Sequence, residues 1–278
     1  MTFTKMHGLG NDYVVVECFT QRVEPSAEMV RALEDRHTGI GSDGLILIRP
    51  SESADVRMEM YNADGSRGRM CGNGIRCVGK FAYERGLAKV NPMRVETDAG
   101  VRELRLVVED GWVSRVRVDM GVPSLRPGDL PCRLEGDRIV EHPMTIAGQP
   151  FAVTCVSMGN PHAVIFVDDL EAVDLCRAGP AGERSPEYPE RVNVQFVQVV
   201  SRTHLRVRTW ERGSGPTQAC GTGACAVCVA GAVTGRSERE VTVTVPGGDL
   251  AVRWADDDHV YMIGPAGEVF SGEWAFLP

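Results

Sequence analysis

Lysine is the scarcest of the charged residue types in this chain of 278 residues. Only three lysines, Lys5, Lys80 and Lys89, accompany 27 arginines, and the formal net charge is −8. A pyridoxal-phosphate enzyme needs a lysine for its Schiff base, and none of the three lies in an obvious cofactor motif. The acidic balance also lacks the basic footprint of proteins that bind nucleic acid. We therefore expect neither that cofactor nor a nucleic-acid partner.

Long apolar runs are missing as well, since none approaches the roughly 20 residues needed to cross a bilayer. The start of the chain, MTFTKMHGLGNDY, turns polar and glycine-rich at once, unlike a signal peptide. Nine cysteines, an odd number, are then typical of reduced thiols in a cytosol. The cysteine spacings Cys71–Cys77 and Cys220–Cys225–Cys228 could suit a structural zinc site, but such a site would also need a second CxxC pair or two histidines three to five residues apart. The sequence has neither. We expect a cytoplasmic protein with no membrane partner and no bound metal.

One stretch of the chain occurs twice. Met70–Cys77 reads MCGNGIRC and Ala219–Cys225 reads ACGTGAC. An asparagine precedes the first cysteine of each stretch by 60 positions, in Gly10–Tyr13 (GNDY) and in Gly159–His162 (GNPH). A single offset of 149 positions therefore superposes five pairs of residues: Gly10 on Gly159, Asn11 on Asn160, Cys71 on Cys220, Gly72 on Gly221 and Gly74 on Gly223. We interpret this as an internal duplication that gives two similar domains.

Strand-like patterns dominate both halves, and each half has one prominent helix that follows its cysteine motif. These helices are predicted at about Gly74–Arg85 and Gly223–Val233. The second is so rich in small apolar residues that we expect it to be buried on all sides. Shorter helical segments are predicted after an N-cap at Ser26 and near Glu171–Arg177.

Three prolines, Pro123, Pro127 and Pro131, mark a linker between the halves. We predict two similar α+β domains on this basis. The first comprises residues 1–122 and carries Cys71, and the second comprises residues 123–264 and carries Cys220. The C-terminal tail, residues 265–278, is expected to pack on the first domain.

The two repeated cysteines have an environment that favours reactivity. A cysteine just before a helix lies where unpaired backbone N–H groups and the helix dipole favour a thiolate. The neighbouring glycines let backbone amides approach an anion such as a carboxylate. Two equivalent acid/base groups suit the inversion of a stereocentre, which needs a base on one face of a carbon and an acid on the other. For the remaining cysteines we expect plain packing: Cys18, Cys77, Cys132, Cys155, Cys176, Cys225 and Cys228.

The motifs resemble those of the diaminopimelate epimerases over essentially the whole chain. The resemblance implies two pseudo-symmetric domains, each a mostly antiparallel sheet wrapped around a central helix. It also implies cofactor-independent interconversion of LL- and meso-diaminopimelate in lysine and cell-wall biosynthesis. The motifs that carry it are Met6–Asp12 (MHGLGND), Tyr61–Ser66 (YNADGS), Met70–Gly74 (MCGNG), Gly159–His162 (GNPH), Val192–Val194 (VNV), Glu211–Gly213 (ERG) and Ala219–Ala224 (ACGTGA).

The resemblance further implies roles for individual residues. Cys71 and Cys220 would be the two acid/base thiols. His162 and Glu211 would flank them, adjust their protonation and contact the substrate amino group. The reacting carboxylate would be bound by Gly72, Asn73, Gly221 and Thr222. The rest of the substrate would be held by Asn11, Asn62, Asn160, Asn193 and Arg212.

Three alternatives remain at this point. A proline or hydroxyproline racemase would have a similar fold, but that group usually has histidine where this chain has Asn73. A phenazine-type isomerase of this fold lacks the cysteine pair. A non-catalytic redox sensor would switch Cys71 and Cys220 between dithiol and disulfide.

One position departs from the family pattern. Many diaminopimelate epimerases carry a substrate-contacting glutamine where this chain has Gly44, so we leave Gly44 out of the site. The expected partner is a small-molecule amino acid, and a homodimer is left open.

Overall fold

The computed structural model describes residues 1–276 of the chain. These residues divide into two compact units. The first comprises Met1–Val118 and the segment that starts at Ile263, and the second comprises Asp119–Met262. The boundaries expected from the sequence lie a few residues later, after 122 and after 264. Residues 277 and 278 of the expected tail lie outside the described residues.

Strands supply most of the regular structure, and only four α-helices occur in the described residues. The helices are α1 Ala27–Glu34, α2 Gly72–Glu84, α3 Leu175–Glu183 and α4 Gly221–Val233. The strands are β1 Thr2–Gly8, β2 Asn11–Glu17, β3 Gly44–Arg49, β4 Val56–Asn62, β5 Arg67–Gly68, β6 Met93–Thr97, β7 Gly100–Glu109, β8 Trp112–Asp119, β9 His142–Ile146, β10 Gln149–Ser157, β11 Pro161–Phe166, β12 Asn193–Ser201, β13 His204–Glu211, β14 Gly215–Thr217, β15 Glu240–Val245, β16 Gly248–Trp254, β17 Val260–Gly264 and β18 Gly267–Glu273.

The strands of the first unit follow the order β18, β1, β2, β3, β4, β6, β7, β8, with the short β5 beside β4. Two of these pairs are parallel, β2 with β3 and β4 with β6, and the others are antiparallel. A mostly antiparallel sheet was predicted, and this is confirmed. Strand β18 belongs to the C-terminal tail and pairs with β1 along Thr2–His7.

The second unit repeats this arrangement. Its strands follow the order β9, β10, β11, β12, β13, β15, β16, with the short β14 beside β13. The parallel pairs again occupy the third and fifth places, as β11 with β12 and β13 with β15. The predicted α+β class with two similar domains is therefore confirmed.

One long helix packs into each unit. Helix α2 packs against β1, β2 and β7, and buries Ile75, Val78 and Phe81. Helix α4 packs against β10, β15 and β16, and every residue from Ala224 to Ala230 is at most 1% exposed. The small side chains of α4 let strands approach from several directions, so the prediction of burial on all sides is confirmed.

Helix boundaries differ from the sequence prediction in three places. Both long helices begin two residues earlier than predicted, at the glycine that directly follows the cysteine. The helix predicted near Glu171–Arg177 is present but begins later, at Leu175, because Asp174 caps it by accepting from the Arg177 N–H at 3.2 Å, and it continues to Glu183. The N-cap at Ser26 is confirmed, since its hydroxyl accepts from the Met29 N–H at 3.1 Å.

The predicted packing role holds for some of the other cysteines and was wrong for one. Cys77, Cys155, Cys225 and Cys228 are buried, whereas Cys176 is exposed in the first turn of α3. Cys18 and Cys132 are half-buried.

In residues 1–276 no helix is long and apolar enough to cross a membrane.

Candidate active site

The duplication is visible in the strand register around the site. In the first unit Tyr13 of β2 lies opposite Gly44 of β3, and in the second unit His162 of β11 lies opposite Asn193 of β12. The offset is again 149 positions, and α2 and α4 also begin and end 149 positions apart. Each site residue in one unit therefore has a counterpart at the same place in the other.

Cys71 is the N-cap residue of α2, and no side chain caps that helix end. Its carbonyl oxygen accepts from the Ile75 N–H at 2.9 Å, which fixes the cysteine at the helix entrance. The thiol is half-buried, and its Sγ lies 2.8 Å from the Tyr13 hydroxyl and 3.8 Å from Asn11 Oδ1. The first unit thus presents one thiol at a helix N-terminus with two polar neighbours from β2.

A chain of hydrogen bonds holds Asn11 beside this thiol. Arg76 donates to Asn73 Oδ1 at 3.1 Å, and Asn73 Nδ2 donates to Asn11 Oδ1 at 3.0 Å. Asn11 Nδ2 in turn donates to Asp43 at 2.6 Å. Arg76 is fully buried and also donates to the carbonyl oxygens of Gly72 and Pro265, each at 3.0 Å. The predicted residues Asn11, Gly72 and Asn73 are therefore brought together around Cys71.

Cys220 is placed in the same way in the second unit. It is the N-cap residue of α4, again without a side-chain cap, and its carbonyl oxygen accepts from the Ala224 N–H at 2.9 Å. Its thiol is buried, and Sγ lies 3.6 Å from Thr222 Oγ1. A Cβ atom on Gly223 would lie 3.1 Å from that sulfur, so only glycine leaves the thiol its full space.

The predicted residues Asn160, His162, Gly221 and Thr222 gather around this second thiol. Asn160 Nδ2 donates to Thr222 Oγ1 at 3.3 Å, and Asn160 Oδ1 lies 2.9 Å from His162 Nε2. His162 is fully buried. Burial, opposed in part by the contact with Gln195 and assisted by the charge of Arg212, lowers the pKa of His162 to about 3. The ring is therefore neutral at physiological pH and can act only through hydrogen bonds, not as a cationic acid.

The remaining predicted residues lie on the strands and turns before the second thiol. Asn193 is buried, and both ends of its amide contact backbone: Nδ2 donates to the Pro161 oxygen at 3.0 Å and Oδ1 accepts from the Arg212 N–H at 2.9 Å. Asn193 thus fixes the backbone of two site segments, and a direct substrate contact stays a prediction. Glu211 accepts from the Thr217 hydroxyl at 2.6 Å.

Two residues predicted to hold the substrate lie nearer the surface. The exposed Arg212 side chain donates to the Glu190 carbonyl oxygen at 3.1 Å. Asn62 ends β4 and donates from Nδ2 to Ser66 Oγ at 2.9 Å.

Gly44, which was left out of the predicted site, starts β3. A Cβ atom there would lie 2.6 Å from the Tyr61 carbonyl oxygen, so the close strand pairing itself excludes a side chain.

Sequence reasoning missed Tyr13. Its hydroxyl contacts Cys71 and donates to Asn11 Oδ1, just as His162 contacts Asn160 in the second unit. Tyr13 lies in β2 and is only 1% exposed. The offset of 149 could have found it, because that offset places Tyr13 on His162.

A buried carboxyl group in the first unit makes the free energy of unfolding depend on pH. Glu34 ends α1 and is 4% exposed, and its carboxylate accepts from the Ser42 hydroxyl. Burial raises the pKa of Glu34 to about 7, with further contributions from the nearby carboxylates of Asp12 and Asp43. A folded-state pKa above the unfolded value of 4.5 means that the folded chain binds more protons between those two pH values. Folding therefore loses stability as pH rises from about 4.5 through 7.

We expect the loss between pH 5 and pH 8 to be on the order of 2–3 kcal/mol. Glu34→Gln should remove most of it, because a neutral amide keeps a polar contact with Ser42 without a buried charge. Urea unfolding at both pH values measures the difference, and Glu28→Gln on the exposed side of the same helix is the matched control. An E34Q protein with the full pH dependence of the unsubstituted chain would contradict this account.

Comparison with known proteins decides the family. The sequence model of diaminopimelate epimerase matches the chain in two segments, residues 3–126 and 154–269. The diaminopimelate epimerase of Acetivibrio thermocellus is 53% identical over 274 residues, which cover 98% of each chain. That of Pelotomaculum thermopropionicum is 51% identical over 278 residues and 99% of each chain. This chain belongs to the diaminopimelate epimerase family.

Solved structures show how widely the fold of this diaminopimelate epimerase family member is shared. A phenazine biosynthesis protein of Bacillus anthracis has a TM-score of 0.72 and 18% identity, and each chain is covered to 99%. A probable proline racemase of Agrobacterium radiobacter has a TM-score of 0.71 and 16% identity, with 100% of this chain and 93% of that one covered. At such identities the likeness shows the fold alone.

Membership in the diaminopimelate epimerase family places the chain among the isomerases, in lysine biosynthesis. It separates the chain from the proline racemase and phenazine-type alternatives, which share only its fold. The first matched segment contains Cys71 and the second contains Cys220, and each lies largely within one of the two units. The roles of the individual site residues stay predictions.

Proposed function

We propose that the protein is a cofactor-independent epimerase that interconverts LL- and meso-2,6-diaminopimelate in the cytoplasm. The observation that carries the proposal is the pair of cysteines at equivalent helix N-termini, Cys71 before α2 and Cys220 before α4. Family membership supports the substrate. None of the nine cysteines, all of them within residues 1–276, forms a disulfide, which suits a reducing compartment.

In the proposed reaction one cysteine acts as a thiolate and removes the proton from the α-carbon. The C–H electron pair stays on the carbon and spreads into the attached carboxylate. The other cysteine, as a thiol, then donates its proton to the opposite face of the carbon. This inverts the configuration, and the reverse reaction exchanges the two roles.

The difficulty of the reaction is the weak acidity of the α-proton, so the developing negative charge needs fixed hydrogen-bond donors. The first turns of α2 and α4 supply backbone N–H groups that have no partner within the helix. We propose that these groups, at Gly72 and Asn73 and at Gly221 and Thr222, bind the reacting carboxylate. The dipoles of both helices also favour negative charge at these N-termini.

The other predicted residues would orient the substrate around this centre. Asn11 and Asn160 lie beside the two thiols in their respective units. Arg212 is an exposed cation suited to a carboxylate at the distal end of the substrate, with Glu211 next to it in the chain. Asn62 and Asn193 would complete this group. We propose a small-molecule amino acid as the partner, and neither nucleic acid nor membrane.

A cofactor-free assay tests the proposal. Chelator-treated protein in the presence of a dithiol should convert LL-diaminopimelate to the meso form. Chiral chromatography measures the conversion. L-proline serves as the control substrate and should not be racemised, because the family of this chain is not that of the proline racemases. Racemisation of proline with no turnover of diaminopimelate would overturn the substrate. No turnover of either would leave the dithiol redox sensor as the better account.

A further inference from the structure

The internal duplication gives each unit a glutamate that is buried at the end of a helix. Helix α1 ends at Glu34 and helix α3 ends at Glu183, which lies 149 positions further along the chain. The two residues are 4% and 2% exposed. A buried carboxylate costs free energy unless hydrogen-bond donors surround it. The donors that each glutamate contacts therefore indicate its role.

The two glutamates contact different parts of their units. Glu34 accepts from the hydroxyl of Ser42, in the loop before β3. Glu183 instead accepts from the Trp210 indole N–H at 2.8 Å and from the Gly213 backbone N–H at 3.0 Å, with one donor at each carboxylate oxygen. Both donors belong to one short segment of the second unit, residues 210–213, which joins the end of β13 to the following turn.

The charge of Glu183 strengthens these two contacts. Burial by itself would raise the pKa of Glu183, but the hydrogen bonds from Trp210 and Gly213 and the charges of Arg184 and Arg191 lower that pKa below its ordinary value. Glu183 is therefore ionised at neutral pH. A hydrogen bond to an ionised acceptor is about twice as strong as one between neutral groups.

The two donors flank Glu211 and Arg212, which are predicted site residues. The N–H of Arg212 is also held, because it donates to Oδ1 of the buried Asn193 at 2.9 Å. Gly213 has a φ of +81°, in the left-handed region that favours glycine. Two buried side chains thus fix the consecutive N–H groups of Arg212 and Gly213, and with them the backbone conformation of the turn.

The Trp210 indole fixes the other end of the segment. A Cβ atom on Gly179 of α3 would lie 2.5 Å from the indole, so the ring packs directly on the backbone of that helix. Helix α3 packs along β13 and β14, on both sides of the turn. Glu183, at the end of the same helix, holds the indole N–H and the Gly213 N–H together. Residues 210–213 are therefore attached to α3 at both ends.

The duplication shows why the second unit needs such an attachment. The offset of 149 places Glu211 on Asn62 and Arg212 on Ala63, so the arginine occurs in the second unit and its counterpart has no polar side chain. Two parallel N–H···O bonds from a guanidinium to a carboxylate require a defined geometry. The Arg212 side chain is exposed, so the backbone that carries it has to supply much of that geometry.

We propose that Glu183 is a positioning residue for the distal end of the substrate, and that its carboxylate holds residues 210–213 in the conformation in which Arg212 binds the distal carboxylate. The inference rests on the proposed function and extends it. It adds a residue that lies outside every motif on which the resemblance to the family depends.

Hydrogen exchange tests the attachment without substrate. Glu183→Gln leaves one acceptor for two donors, because the amide NH₂ group cannot accept. We expect the backbone N–H groups of a peptide that covers residues 211–218 to exchange about tenfold faster in the full-length variant, as measured by mass spectrometry. Arg191→Gln is the matched control, since it removes an exposed ion pair to Glu183 at 3.6 Å and keeps both hydrogen bonds to the segment. Unchanged exchange in Glu183→Gln, or equal acceleration in Arg191→Gln, overturns the proposal.

Kinetics test the consequence for the substrate. Glu183→Gln should raise KM for LL-diaminopimelate about tenfold, equivalent to about 1.4 kcal/mol, because the distal contact is made before the reaction begins. The value of kcat should change by less than about threefold, since that contact is the same in the transition state. A variant that only folded less completely would show a lower kcat per total protein and an unchanged KM, and this result would overturn the proposal. Arg191→Gln should leave KM within a factor of about two.

A second substitution at Arg212 tests whether Glu183 acts through that residue. In an Arg212→Gln background the distal contact is already lost, so Glu183→Gln should lower kcat/KM by less than about twofold. Rates at limiting substrate give kcat/KM even without saturation. A tenfold loss that persists in this background overturns the proposal. Absence of turnover in the unsubstituted protein would refute the proposed function instead, and the exchange experiment would still decide whether Glu183 holds the turn.

Discussion

Replacing either Cys71 or Cys220 by alanine is expected to lower kcat/KM for diaminopimelate by at least about a thousandfold, near the upper range of acid/base catalysis by one side chain. Each variant loses one of the two proton-transfer groups, and both groups are needed in each direction. The neutral His162 ring and the high-pKa Tyr13 hydroxyl are poor substitutes at physiological pH. Initial rates from both LL and meso substrate measure the effect, with far-UV circular dichroism to verify folding.

Cys176→Ala is the matched control for these variants. It removes a thiol of the same kind from an exposed position at the start of α3, and should leave both rates within a factor of about two because such surface changes hardly affect stability. Retention of most activity by either Cys71→Ala or Cys220→Ala would contradict the two-thiol mechanism. Equal losses in Cys176→Ala would point to general thiol damage instead.

The parts of the site that follow from local sequence were predictable. Glycines after each cysteine and the change to an apolar helical pattern indicated that Cys71 and Cys220 lie just before a helix, and in the structure they are the N-cap residues. A constant offset with no net insertion between the halves predicted equivalent folds, and the register of Tyr13 with Gly44 and of His162 with Asn193 confirms it. The helices were predicted two residues too short because glycine is a poor helix former, yet Gly72 and Gly221 both occupy the first helical turn.

The parts that depend on distant chain segments were not predictable. Arg76 would be expected on a solvated helix face, but it is fully buried because it donates to the carbonyl oxygen of Pro265, 189 positions further along the chain. Strand β18 lacks an alternating pattern because most of its side chains are exposed, so only its pairing with β1 identifies it. The direction of the Asn11 amide likewise depends on Asp43, which lies outside every recognised motif.

Deuterium from the solvent is expected in almost every early product molecule when LL-diaminopimelate is converted in D₂O. In the proposed mechanism thiol hydrogens exchange with water before substrate binds, so the thiol that acts as the acid carries deuterium. The proton removed from the substrate goes to the other cysteine, on the other face of the carbon, and cannot return from there to the inverted product. The product therefore receives its new hydrogen from solvent.

Unreacted substrate should remain protiated during the same early period, because the acid thiol delivers deuterium only to the face that gives product. A single-base mechanism would carry part of the substrate's own proton into the product and would exchange deuterium into the remaining substrate at a similar rate. Proton NMR at the α-carbon of both diastereomers, sampled early in the reaction, distinguishes the two. The reverse reaction from meso substrate is the control and should show the same pattern with the cysteine roles exchanged. Early product that is mainly protiated would rule out proton transfer by two cysteines, even if both alanine variants were inactive, since a single base and a structural thiol would give that combination.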